Sequence, residues 1–129
     1  MRRLLLYALL AAAGAVHADV VVIVHPSNPV RLGAAQVAQI YLGRLDMLKP
    51  VDQLGNTALR AEFYRKVAGM DLAQVKAAWS KLIFTGRAIP PRELSGSAAV
   101  KRAVAADLDA IGYIERADVD ASVRVLLAP

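Results

Sequence analysis

Apolar positions along this chain change their spacing several times, and each change marks an element. Val20 to Val24 is an unbroken β-branched run without polar alternation, the pattern of a strand buried on both faces. Pro26 and Pro29 end it, since neither can donate to a ladder. The spacing then turns helical: Gly33 is a candidate N-cap, Leu32 and Val37 make a hydrophobic staple, and Val37, Ile40 and Tyr41 form a narrow stripe that Gly43 closes. Lys49 to Gln53 is a short strand candidate. Asn56 is the expected N-cap of a second helix, Thr57 to Ala68, with Leu59, Phe63 and Val67 inward. Asp71 with Gln74 forms a capping box for a third helix, which runs to about Phe84 and buries Leu72, Val75, Trp79, Leu82 and Ile83. Ala88 to Gly96 is expected as a Pro-Pro loop. Ser97 should cap a fourth helix through Leu108, with Val100 and Val104 inward, and Ile111 to Ile114 and Val123 to Leu127 should be closing strands. The order βαβαααββ, with helices between buried strands, predicts an α/β three-layer sandwich.

The first eighteen residues follow a different rule. Arg2 and Arg3 precede an apolar run from Leu4 to Val16, and Val16-His17-Ala18 ends in a small residue. That is the layout of a secretory signal cleaved after Ala18, with the folded domain at 19–129; an uncleaved membrane anchor is the alternative. The run is shorter than the ~20 apolar residues of a spanning helix, so no stable membrane span is expected after cleavage. Cleavage would leave 111 of the 129 residues and lower the net charge from +5 to +3, because Arg2 and Arg3 leave. The remaining basic residues are scattered from Arg31 to Arg124 without interleaved aromatics, so nucleic acid is not an expected partner.

Composition excludes much chemistry. There is no cysteine, hence no disulfide, thiol nucleophile or thiolate metal site. Beyond residue 18 the one histidine is His25, and no G-x-S-x-G elbow presents a serine. There is no G-x-G-x-x-G and no Walker loop, so no nucleotide cofactor is expected. A carboxylate-based hydrolase would have no spacing to single it out. An enzyme is therefore the less expected class.

Two loops remain as candidate walls of a site. His25 to Leu32 carries Ser27 and Asn28, and Gln53 to Asn56 leads into a helix that carries Arg60 one turn in. Ligands of open α/β sheets sit outside the carboxyl ends of strands, where such loops gather. Backbone N–H groups at a helix start, an amide, a hydroxyl and a guanidinium could converge on an anion. The same residues also suit an ordinary N-cap beside a solvated arginine, and Ser27-Asn28 suits a plain chain reversal.

The stretches "VVVIVHPSNPV", "AAQVAQIYLGR", "PVDQLGNTALRAEFYRKV", "WSKLIFTGRAIPP" and "DAIGYI" together resemble short, exported relatives of the phosphate-binding proteins of ABC importers. The resemblance covers nearly all of 19–129. It implies a single lobe of a type II periplasmic-binding-protein-like fold, a periplasmic location, and an oxyanion such as phosphate as ligand. In that family a Ser-Gly-Thr turn opening a helix contacts phosphate; carried over, Asn56 and Thr57 fall at that turn with Arg60 close behind. The turn here is Gly55-Asn56-Thr57, and a second lobe is not expected within 129 residues. The expected anion-binding residues are thus Asn56, Thr57, Arg60, Ser27 and Asn28, with binding that is weak or completed by a transporter or sensor partner. The alternative is an envelope accessory protein that keeps the fold without the ligand.

Overall fold

The computed structural model describes residues 18–129, so the expected export signal lies outside the described residues except for Ala18. The elements are β1 (Val20–Val24), α1 (Ala34–Tyr41), β2 (Lys49–Gln53), α2 (Ala58–Ala68), α3 (Leu72–Phe84), β3 (Arg92–Leu94), α4 (Gly96–Ala105), β4 (Ala110–Glu115), a 3₁₀ turn (Arg116–Asp118) and β5 (Arg124–Leu127). They form a five-stranded mixed sheet in the order β3-β2-β4-β1-β5. β2 runs parallel to β3 and β4, whereas β1 runs antiparallel to β4 and β5.

β1 is buried at every position, because helices cover both faces. Val20, Val22 and Val24 join the core under α1, α2 and α3, and Val21 and Ile23 join the core under α4. The fold is the expected three-layer α/β arrangement. Gly112 of β4 shows how closely α4 sits: a Cβ there would stand 2.6 Å from Val100 Cγ1 and 3.0 Å from Val104 Cγ2. On the other face Gly43, at φ +74°, brings the α1 exit so near Trp79 that a Cβ would lie 2.9 Å from the indole.

The β2–β4 ladder is short, pairing Lys49 with Ala110 and Pro50 with Ile111. Pro50 has no N–H to give, and side chains bridge the strands instead. The Tyr41 hydroxyl lies 2.8 Å from the Val51 carbonyl and 3.1 Å from that of Ile111. The Gln53 amide donates to the Tyr113 carbonyl at 2.9 Å.

Several expectations are corrected. The Pro-Pro loop contains β3, a three-residue edge strand whose Arg92 and Glu93 are exposed; a polar, short edge carries no apolar alternation to detect. Thr57, not Asn56, is the N-cap of α2, its hydroxyl accepting from the Arg60 N–H at 3.1 Å. Ser95 rather than Ser97 precedes α4. The Ser97 hydroxyl instead accepts from the Glu115 N–H, tying α4 to β4. α4 stops at Ala105, and just beyond it the Asp107 carboxylate takes the Asp109 N–H at 2.9 Å, a local bond that competes with helix. In α3, Val75 and Trp79 are buried, but Ile83 is 52 % exposed.

Candidate functional site

A buried carboxylate organises the aromatic face of the sheet. Asp52 leaves β2 on the side of α2 and is 2 % exposed. Its Oδ1 accepts from the Gln53 N–H at 2.8 Å, from Arg60 Nε at 3.2 Å and from the Tyr113 hydroxyl. Its Oδ2 accepts from the Tyr64 hydroxyl at 2.7 Å and from Arg60 Nη2 at 3.3 Å. Five donors therefore satisfy one carboxylate, and the Asp52–Arg60 pair has the two-bond fork that suits a guanidinium. Arg60 and Tyr64 stand one turn apart on α2, which places both on Asp52, and the guanidinium carbon sits 5.4 Å from the centre of the Tyr64 ring.

The aromatic packing holds this cluster in place. Phe63 stacks on Tyr113 at 4.0 Å between centroids, and Tyr41 meets Phe63 edge-on at 4.7 Å. Burial, followed by the negative charge of Asp52, pushes the hydroxyls of Tyr64 and Tyr113 far above the ordinary tyrosine range. Burial works against the charge of Arg60, but the bond to Asp52 and its field outweigh that and raise the guanidinium further. Arg60 thus stays charged, and much of its field is met by its partner.

The cluster surfaces in a depression of about 530 Å³ between α2, α3 and the segment ahead of β3. Asp52, Asn56 and Arg60 reach it, together with Trp79 and Lys76 of α3. Thr57 is next to Asn56, with its oxygen engaged in the cap of α2. Arg60 Nη1 leans toward the Gly55 carbonyl at 3.4 Å, so each terminal guanidinium nitrogen keeps one N–H uncommitted. Three of the expected residues are thereby gathered at one helix start.

Ser27 and Asn28 lie elsewhere. The carboxyl end of β1 pairs with Ile111, near the start of β4, whereas β2 runs parallel to β4 and ends toward Tyr113. Their following loops therefore emerge at opposite ends of the sheet. Asn28 Oδ1 accepts from the Val30 N–H and Nδ2 donates to the Leu108 carbonyl, both at 3.0 Å. The Arg124 guanidinium donates to the carbonyls of Asn28 and Val30, and the Ser27 N–H donates to His25 Nδ1. The loop ties β1 to β5 and to the α4–β4 turn; the structure does not bring it to Arg60.

Asp52, Tyr64 and Tyr113 were not among the expected site residues. Asp52 follows Val51 in strand alternation, which reads as a solvent position beside a core position. The usable signal was the i, i+4 pair Arg60 and Tyr64, one polar and one aromatic, on the inward side of α2.

Known structures share this architecture. A protein from Clostridium perfringens, described as a phosphate ABC transporter substrate-binding protein and determined with bound phosphate, superposes with a TM-score of 0.67 at 22 % identity, over 84 % of this chain and 44 % of its own. An ABC-type phosphate transport receptor from Vibrio cholerae gives 0.66 at 18 % identity, over 84 % and 45 %. The chain has the fold of one lobe of such proteins. A third, from Planctomyces limnophilus and described as a phosphate-binding protein, gives 0.55 at 12 % identity over 78 % of this chain and 36 % of its own. The chain thus spans less than half the length of the substrate-binding structures it matches. No family model matches the sequence, and no curated protein matches it. Among the described residues no helix is long and apolar enough to cross a membrane.

Proposed function

We propose that this protein is an exported, single-lobe oxyanion-binding module of ABC-type transport, its signal removed after Ala18, and that it holds phosphate or a similar anion weakly at the start of α2. Asn56, Thr57 and Arg60 are the binding residues of this reading. The observation that carries it is their gathering, with an uncommitted guanidinium edge, beside a depression open to solvent. Ser27 and Asn28 serve the fold at the far end of the sheet.

Magnitudes set the expected affinity. Exposed hydrogen bonds contribute about 0.5–1.5 kcal/mol each, and a helix start adds about 0.3–1 kcal/mol at the surface. Micromolar binding takes about 8 kcal/mol. Three or four such contacts with the helix start reach about 2–7 kcal/mol, short of that value, and Asp52 offsets the charge of Arg60. A second wall, supplied by a transporter or sensor partner in the envelope, would exclude the water that limits the open lobe.

Calorimetric titration of residues 19–129 with phosphate and sulfate tests this. Arg60→Lys is the suitable variant, because it keeps a cation beside Asp52 while removing the guanidinium edge; Arg60→Ala would strand a buried charge. Weak heat that Arg60→Lys abolishes supports the reading, and heat that the variant leaves unchanged refutes it.

The accessory-protein reading rests on a separate observation. Phe84, the last residue of α3, and Ile89, on the segment between α3 and β3, are 92 % and 90 % exposed, which suits contact with another protein. Capture of a transporter or sensor subunit that Phe84→Ser abolishes, with no phosphate heat, would favour it.

A further inference from the structure

The depression beside α2 is broader and more apolar than a bare oxyanion requires. Its volume of about 530 Å³ falls in the roughly 300–1,000 Å³ range of sites for organic ligands. Inorganic phosphate has five heavy atoms and would leave most of that space to water. Its apolar wall is made by Leu72, Val75, Trp79 and Ile83 of α3 together with Pro90 and Pro91. Such a wall contributes nothing to an inorganic anion and favours any ligand with an apolar body.

The polar lining presents mainly donors. Asp52 has five donors on its two oxygens and no capacity for a ligand proton. Arg60 keeps an N–H on each terminal nitrogen, Asn56 has its amide, and Lys76 makes no ion pair or side-chain hydrogen bond among the described residues. One uncommitted carboxylate opposes them. Glu93 is the register partner of Asp52 on β3 and shares its face of the sheet.

We propose that this depression binds an organic phosphate, a monoester with an apolar body. The body lies against Trp79, Ile83 and the prolines, while the phosphoryl oxygens accept from Arg60, Asn56 and Lys76. This rests on the oxyanion reading of the α2 start and narrows its ligand class. The affinity that open polar contacts cannot supply comes from burial of the apolar body.

Trp79 is the sole tryptophan of the chain and forms part of the wall, so its emission reports occupancy directly. Residues 19–129 are titrated with phenyl phosphate, inorganic phosphate and phenol, read by Trp79 fluorescence and by calorimetry. Phenyl phosphate should bind at least tenfold more tightly than either of the other two. Glu93→Gln should tighten phenyl phosphate severalfold, Lys76→Met should weaken it severalfold, and Ile83→Ser should weaken it while leaving inorganic phosphate unchanged. All three positions are exposed, so the variants should fold.

Equal affinity for phenyl phosphate and inorganic phosphate would overturn this inference while leaving the oxyanion reading intact. Phenol binding as tightly as phenyl phosphate would overturn both, as would the absence of binding by all three probes.

Discussion

The two faces of the sheet solve one packing problem with different chemistry. Under α4 the core is aliphatic: Val21, Ile23 and Ile114 meet Val100 and Val104, and Gly112 supplies the close approach. Under α1, α2 and α3 the core is aromatic, and Tyr41, Tyr64 and Tyr113 carry three hydroxyls into it alongside Asp52. Apart from Gln53, whose amide is met by Ser97 and the Tyr113 carbonyl, the aliphatic face needs only matching shape. The aromatic face needs every polar atom paired, since an unpaired one carries a desolvation penalty; among the described residues no buried side-chain nitrogen or oxygen lacks a partner. The proposed site belongs to the polar face, whose buried charge continues out to a solvent-open depression.

Removing the carboxylate should separate the faces most sharply. Asp52→Ala strands Arg60 and two tyrosine hydroxyls, and breaking a buried pair in this way costs about 3–5 kcal/mol. Urea unfolding measures it, and a loss below 1 kcal/mol would show that the cluster is not the organiser described here. Tyr64→Phe deletes one hydrogen bond to a charged group and should cost about 1.5–3 kcal/mol. Gly112→Ala tests the opposite face, where overpacking against Val100 and Val104 should cost about 1–3 kcal/mol. An unchanged midpoint there would mean that α4 retreats freely.

Alkaline pH distinguishes the two faces without relying on size. Tyr64 is held above its ordinary pKa of 10 by burial and then by the charge of Asp52. Below that pH the tyrosine is neutral in both states, and its contribution to stability is fully present. Above it the unfolded chain loses the proton while the folded chain retains it, so stability falls as pH rises toward the folded pKa. Tyr64→Phe should flatten this decline, and Gly112→Ala should leave its slope unchanged. Identical slopes in wild type and Tyr64→Phe would remove Tyr64 from the buried cluster.

Much of this fold is legible in local pattern. The β-branched run at Val20–Val24, the Asp71–Gln74 capping box and the tight spot at Gly112 each follow from residue type and spacing, and each stands in the structure. Strand direction does not. Nothing in Val20–Val24 distinguishes a parallel neighbour from an antiparallel one, and that one property sends Ser27 and Asn28 to the far end from Arg60. β3 escaped notice because a three-residue edge with Arg92 and Glu93 outward needs no apolar face. The site was half legible. Arg60 and the start of α2 were visible as chemistry, whereas Asp52 depends on Tyr113, distant in sequence, and gains its meaning only when β2, α2 and β4 are assembled.

The central claim is that the fork of Arg60 is committed to Asp52 and that an oxyanion meets only its outer edge, in contact with water. A crystal structure of residues 19–129 grown in phosphate tests this most directly. The account predicts a solvent-exposed phosphate at the start of α2, touching Asn56 and the outer N–H groups of Arg60 while the Asp52–Arg60 fork stays closed. A phosphate enclosed within a single chain, or one that has drawn Arg60 away from Asp52, would contradict it.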